Sequence, residues 1–362
     1  MGTNITSLSG FIRAFFRARE FGAALLCAGL LSCPVAVSAK IPRGVFSIAN
    51  VDKDPNTNVL ENPDVDGISL RHMWSTLEPT EGNFDFTYLD GAVALCTANG
   101  KQALIRIGTQ EAKPAWVTTA VKRAHGQFFT FLNGGVTTSI PVFWDPTYLA
   151  KKTAMITALG AHFTNNPTVT IVVASFANST SEDWGVPHTA IDVTNWLRLG
   201  YTTQLMLDTG ATIINTTMEA FPNQFVTMAV GGSGHVNGLN LDPTADYVAR
   251  NAVLNARAAY PGRMIAQKND LKTCIPVAPG TDTLYSMIWD FQPDVGAQMA
   301  FQCFNDSTYK ANCGIPIDPA LALTLSVTAA LTYGEKYVEI YSTDVVNLPA
   351  VITWAHAALN AQ

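Results

Sequence analysis

Apolar residues along the chain fall into short β-branched runs separated by longer stretches of helical spacing. The runs cover residues 44–50, 67–74, 102–108, 169–177, 224–231, 263–269, 296–303 and 336–342. Their lengths suit buried strands. Between them, residues 88–99, 146–165, 191–206, 244–259 and 319–333 repeat apolar side chains three and four apart, as a helix packed on one face does. Eight strands alternating with helices predict an α/β fold, a single (β/α)8 TIM barrel. The alternative is a doubly wound open sheet, but no G-x-G-x-x-G turn follows the first run. No linker divides residues 40–362, so one domain is expected there.

Alternation within each run says what faces inward. In 336–342, Val338 and Ile340 share one side while Tyr337, Glu339 and Tyr341 share the other. If the aliphatic pair packs against helices, Glu339 points into the barrel. By the same rule Gln298 and Gln302 go inward together, as do Gln267 and Asn269, with Arg106 opposite Ile105 and Ile107, and Arg71 opposite Leu70. A dry interior has no use for so many polar groups. They need partners or water, so a wet, polar barrel mouth is expected.

The amino terminus reads differently. Arg13, Arg17 and Arg19 precede an apolar run at 21–31, and Val37-Ser38-Ala39 obeys the small-x-small rule of a cleavage site. Residues 1–39 are therefore expected to be a secretory signal and the protein to be exported, periplasmic or extracellular. Cys33 in Leu30-Leu31-Ser32-Cys33 offers a lesser route, lipoprotein anchoring. The apolar run is short for a bilayer span, and no stable span is expected in the mature form. Charged residues make up 14% and the formal charge is −6; losing a leader with three Arg and one Glu makes it −8. That balance argues against nucleic-acid binding. Four cysteines remain after cleavage: Cys303 and Cys313 are spaced to close a short loop, Cys274 competes as a partner, and Cys96 reads as a buried free thiol.

Residues 67–108, GISLRHMWSTLEPTEGNFDFTYLDGAVALCTANGKQALIRIG, resemble the second and third βα units of clan A glycoside hydrolases, above all the thermophilic-type β-galactosidases. Arg71, Trp74, Glu78, Pro79, Gly82, Phe84, Asp85, Phe86, Leu89 and Asp90 carry the likeness, followed by Pro114-Ala115-Trp116. A further segment, residues 141–187, is similar to the helix and fourth strand that deliver the acid/base glutamate of that clan. The resemblance implies a (β/α)8 barrel that hydrolyses glycosidic bonds. Two departures stand out. The clan's adjacent Asn-Glu is here spread over Asn178 and Glu182, a presentation nearer that of β-amylase-like barrels. No glutamate ends the seventh run, which closes on Gln302, Asn305 and Asp306.

Glycoside hydrolysis needs one carboxyl that holds a proton for the leaving oxygen and one that is ionised. Glu182 is the candidate acid, with Trp184 beside it to supply apolar surroundings, and Glu339 is the candidate nucleophile or base. For Glu339 the competing reading is an inward structural partner of Arg71 or Arg106. Glu78 reads as a turn organiser, Asp145 as a helix N-cap, and Asp270, Asp306 and Asp344 as reserve bases. Sugar rings stack on indoles, so Trp74, Trp116, Trp144 and Trp184 are candidate platforms, whereas Trp289 and Trp354 read as core. Arg71, Arg106, Asn178, Gln267, Asn269, Gln302 and Tyr341 complete the expected substrate-binding set. Gly231-Gly232-Ser233-Gly234-His235 fails the G-x-S-x-G pattern and reads as a sharp turn. The six histidines show no metal-ligand spacing, so neither metal nor organic cofactor is implied. The partner expected is a carbohydrate substrate, cleaved as an oligo- or polysaccharide. A barrel that binds carbohydrate without hydrolysing it is the alternative, favoured by the missing seventh-strand glutamate. Amino-terminal sequencing of exported protein should read from Lys40; material still starting at Met1 would contradict the predicted leader.

Overall fold

The structure is a computed structural model that describes residues 42–175, 184–232, 234–237, 240–242, 245–281, 284–306 and 313–362. The predicted leader, Asn178 and Glu182 lie outside the described residues. The strands are β1 (Gly44–Ile48), β2 (Gly67–Met73), β3 (Gln102–Gly108), β4 (Phe128–Asn133), β5 (Val136–Pro141), β6 (Val169–Val173), β7 (Phe225–Ala229), β8 (His235–Asn237), β9 (Asn240–Asp242), β10 (Met264–Leu271), β11 (Val295–Met299) and β12 (Tyr337–Tyr341). The helices are α1 (Thr57–Leu60), α2 (Trp74–Leu77), α3 (Thr87–Ala98), α4 (Ala115–Arg123), α5 (Pro146–Phe163), α6 (Ala190–Arg198), α7 (Thr203–Ala220), α8 (Tyr247–Ala259), α9 (Leu284–Asp290), α10 (Pro319–Thr332), α11 (Ser342–Asn347) and α12 (Pro349–Asn360).

Strands β1, β2, β3, β6, β7, β10, β11 and β12 are all parallel and close into a barrel, with β12 returning to β1. This is the (β/α)8 barrel that the alternation predicted. Two cores follow from the alternation. Val45, Leu70, Ile105, Val172, Val338 and Ile340 face outward and pack with the helices in the larger cluster. Phe46, Leu104, Ile171, Val173, Ile265 and Tyr337 face inward as a separate plug inside the barrel. Above that plug the inward positions turn polar, as the alternation predicted.

Local chemistry sets the helix starts. Asp145 accepts the Tyr148 amide and Pro146 opens α5, the capping role read from sequence. Asp318 and Pro319 repeat the device in α10. The expected helix at 191–206 is in fact two, because Gly200 takes φ +84° and ends α6. The seventh strand stops at Met299, so Gln302 lies in the following turn. Two antiparallel hairpins, β4–β5 and β8–β9, were not anticipated. Gly134 and Gly135, at φ 55° and 85°, make the first a two-residue turn of the kind hairpin twist favours.

A disulfide joins Cys274 to Cys313, tying the segment after β10 to that after β11. This selects Cys274 over Cys303 as the partner of Cys313; Cys303 and Cys96 are buried thiols. Among the described residues no helix is long and apolar enough to cross a membrane.

Glu335, just before β12, is fully buried and neither carboxylate oxygen has a hydrogen-bond partner. Desolvation, and then the charge of Asp270, raise its pKa well above the usual carboxylate value. The folded-state pKa therefore exceeds the unfolded one. Wild-type stability is undiminished by this group below pH ~4.5 and declines as pH rises toward the folded value. Glu335→Gln should raise the melting temperature at pH 7 and leave it unchanged at pH 4; equal melting temperatures at both pH values would contradict this reading.

Candidate active site

The barrel's polar layer is built on an ion pair between two interior positions. Arg106 is in the middle of β3 and Glu339 in the middle of β12, and both are almost completely buried. Arg106 Nη2 donates to Glu339 Oε1 at 2.5 Å. Gln267 of β10 donates its Nε2 to the same oxygen at 2.5 Å and to Asn269 Oδ1 at 2.7 Å. The opposite end of that amide, Oε1, accepts the Tyr337 hydroxyl at 2.5 Å and the Thr227 hydroxyl at 3.4 Å. Glu339 Oε2 is buried with no hydrogen-bond partner. Between Arg71 or Arg106 as partner of Glu339, the structure selects Arg106. Arg71, its register neighbour on β2, points the same way and is half-buried.

Of the expected binding residues, Arg106, Gln267, Asn269 and Glu339 form one connected network. Arg71 lies beside Arg106 in register, Tyr341 is inward at the carboxyl end of β12, and Gln298, in register with Glu339, is a further inward amide. Gln302 is half-buried in the turn beyond β11.

Of the four candidate indole platforms, the structure withdraws two. Trp74 and Trp184 are fully buried. The Trp74 indole N–H goes to Glu78 Oε2 at 2.7 Å, and that of Trp184 to the Ala174 carbonyl at 2.9 Å. Gly210 makes room for Trp184, since a Cβ there would come within 2.6 Å of its ring. Trp116 donates to the Glu78 carbonyl and meets Trp74 edge-on. Trp144 packs against Trp196 and Tyr201. The indoles are large enough that core burial outweighs display on a rim. Trp289 and Trp354, expected in the core, are 40% and 37% exposed.

Glu78 has the turn-organising role expected of it, accepting the Gly82 amide as well as the Trp74 indole. The reserve acids are engaged elsewhere. Asp344 is buried and accepts the Cys303 and Phe304 amides, fixing the turn after β11. Asp270 pairs with Lys268 and accepts the Tyr285 hydroxyl. Among the described residues, Glu339 is the one acid at an inward barrel position. Also among them, no cluster of three or more His, Cys, Asp or Glu is placed to hold a metal ion.

Sequence reasoning passed over two contributors to this network, and a buried lysine in α5. Tyr337 and Thr227 share the inward parity of Glu339 and Gln267, and that parity was a usable signal. Lys152 gave none. It is fully buried in α5, reaches Thr109 Oγ1 at 3.1 Å, and desolvation lowers its pKa to about 7. It lines a small cavity of about 20 Å³ with Ile107, Val172, Ser175 and Phe221.

The closed parallel barrel with interleaved helices, holding an inward arginine–glutamate pair beside Gln267, Asn269 and Gln298, is a (β/α)8 barrel. Residues 54–203 match the model of the glycoside hydrolase family 42 β-galactosidases. The match spans β2 through α6 and ends before Gln267 and Glu339. Among solved structures, the catalytic domain of β-amylase from Paenibacillus polymyxa aligns with a TM-score of 0.56 at 9% identity, over 86% of this chain and 97% of that one. The exo-β-1,4-mannosidase Op5Man5 from Opitutaceae bacterium strain TAV5 gives 0.50 at 10% identity, over 88% of this chain and 59% of the mannosidase. At such identities the likeness is one of fold. No curated protein sequence gives a match.

Removing one member of a buried ion pair leaves the other charge uncompensated and costs roughly 3–5 kcal/mol, whereas replacing both by apolar groups is often neutral. Arg106→Met should therefore lower unfolding free energy by roughly that amount, and the double variant Arg106→Met/Glu339→Leu should recover most of it. Urea unfolding of the three proteins checks this. A single variant within about 0.5 kcal/mol of wild type, the usual scale for uninvolved sites, would remove the pair from its central place.

Proposed function

We propose that the chain is an exported glycoside hydrolase that cleaves oligo- or polysaccharides with two carboxyl groups, Glu182 as acid and Glu339 as nucleophile or base. The observation that carries the reading is Glu339 itself: an inward carboxylate with one oxygen held by Arg106 and Gln267 and the other bare. Arg106 and Gln267 hold Oε1 by short hydrogen bonds, which fixes the orientation of the carboxyl group. The developing positive charge at the anomeric carbon would then meet a preoriented anion. Glu182 would protonate the departing oxygen, and Arg71, Asn269, Gln302 and Tyr341 would hold sugar hydroxyls at the mouth. The family match over residues 54–203 supports the substrate class. Export rests on the leader pattern of residues 1–39.

The second reading, a carbohydrate-binding barrel without hydrolysis, is favoured by the full burial of Glu339 and by β11 ending without a glutamate. A panel of 4-nitrophenyl glycosides, β-galactoside first, together with plant and microbial polysaccharides, separates the two.

In an active enzyme, Glu182→Gln should cost roughly 10²–10⁴-fold in kcat/KM on substrates with poor leaving groups, the usual worth of a general acid. On 4-nitrophenyl glycosides, whose departure needs little protonation, the loss should be far smaller. Glu339→Gln should damage both substrate types alike, because a good leaving group does not replace an attacking or activating carboxylate. The amide keeps an acceptor for Arg106 but leaves its charge uncompensated, so this variant should lose stability, by at most the roughly 3–5 kcal/mol of a broken buried pair, and near-ultraviolet circular dichroism establishes that it is assayed in its folded form. Equal, modest losses in both variants would assign these residues to binding alone.

A further inference from the structure

We propose that Gln267 is the positioning residue of the site: its carboxamide, held in one orientation from behind by Tyr337, ties down Glu339 Oε1 and leaves Oε2 as the reacting oxygen. This rests on the reading of Glu339 as a reacting carboxylate and adds to it which oxygen reacts and what selects it.

The two ends of a carboxamide have nearly the same shape and opposite hydrogen-bonding character. Turned one way, Gln267 offers an N–H to Glu339; turned the other, it presents a carbonyl oxygen to a carboxylate and repels it. Tyr337 makes the choice. Its hydroxyl lies 2.5 Å from Gln267 Oε1, and Thr227 Oγ1 lies 3.4 Å from the same atom. Burial, then the charge of Glu339, raise the Tyr337 pKa, so the phenol stays protonated and donates. Both hydrogens of the amide nitrogen are then directed forward, one to Glu339 Oε1 and one to Asn269 Oδ1. With Arg106 on the same oxygen, Oε1 carries two short hydrogen bonds and Oε2 none. A carboxylate restrained at one oxygen and bare at the other is preorganised to attack, or to activate water, through the bare one.

The groups facing Glu339 come from every neighbouring strand. Phe46 of β1 and Gln298 of β11 are its register partners, Gln267 comes from β10, Arg106 from β3, and Tyr337 from its own strand. Arg71 of β2 stands beside Arg106. Among the described residues, the charged members are thus the two arginines, which Gln267 variants leave in place.

The test is the pH–rate profile of Gln267→Ala, Gln267→Glu and Tyr337→Phe on the best-cleaved 4-nitrophenyl glycoside. Losing a donor to the carboxylate favours its protonated form, so Gln267→Ala should shift the acid limb upward. Its kcat should fall roughly 10–100-fold, the cost of lost orientation, with KM changed much less. Tyr337→Phe should shift the limb in the same direction by a smaller amount. Gln267→Glu keeps the shape but sets two carboxyls against each other, and should shift the limb furthest. If the alanine variant fails to fold, the other two carry the test. An unmoved acid limb in all folded variants, while Glu339→Gln is inactive, overturns the positioning role alone. A Glu339→Gln enzyme as active as wild type overturns the reading beneath it and this inference with it.

Discussion

The ion pair between Arg106 and Glu339 is the constraint on which the barrel's interior depends. Two charges taken out of water lose several kcal/mol of hydration each, and the loss is offset only when geometry and further hydrogen bonds are good. The barrel supplies those bonds through Gln267, and behind Gln267 through Tyr337 and Thr227. Below the pair lies a dry plug of Phe46, Leu104, Ile171, Val173, Ile265 and Tyr337. Level with it are Arg71 and Gln298, and toward the carboxyl ends of the strands Asn269 and Tyr341, all half-buried and polar. The pair thus marks the boundary between the packed part of the barrel and its mouth. Tyr337 belongs to both sides, its ring in the plug and its hydroxyl in the network.

Much of this was legible in the sequence because strand alternation is a strict rule. Val338 and Ile340 on one side fix Tyr337, Glu339 and Tyr341 on the other, and a closed barrel has only one inside. The same parity placed Arg106, Gln267 and Asn269 there. What parity does not give is the reach of a side chain across the barrel, so the choice between Arg71 and Arg106 as partner of Glu339 awaited the structure. The indoles failed for a different reason. Trp74 and Trp184 follow strands in sequence, where a rim residue is expected, but their N–H groups have internal acceptors in Glu78 and Ala174. Nothing in the spacing of Trp74 and Glu78 distinguishes a buried tie of that kind from a surface turn. Gln302 was misplaced because β11 ends at Met299, three residues before it.

The remaining acids show how a barrel of this class separates structure from chemistry. Asp344 and Asp270 stand near strand ends, where a reacting group is looked for, yet one caps the turn at Cys303 and Phe304 and the other accepts Tyr285. Glu78 organises its own turn. Their carboxylates are tied to amides, hydroxyls or a lysine outside the barrel interior, whereas Glu339 is the inward one among the described residues. That difference in placement, together with the match over residues 54–203, is the support for the function proposed above.

The central claim is that Glu339 Oε2 faces the reacting carbon of a bound sugar. A crystal structure of the Glu339→Gln variant with an uncleaved glycoside tests it most directly. The account predicts the anomeric carbon over the side-chain atom that replaces Oε2, in contact with it or separated by a single water, and the glycosidic oxygen on the side of Glu182. A sugar bound with its anomeric carbon against another acid, or no sugar in the barrel mouth at all, would contradict it.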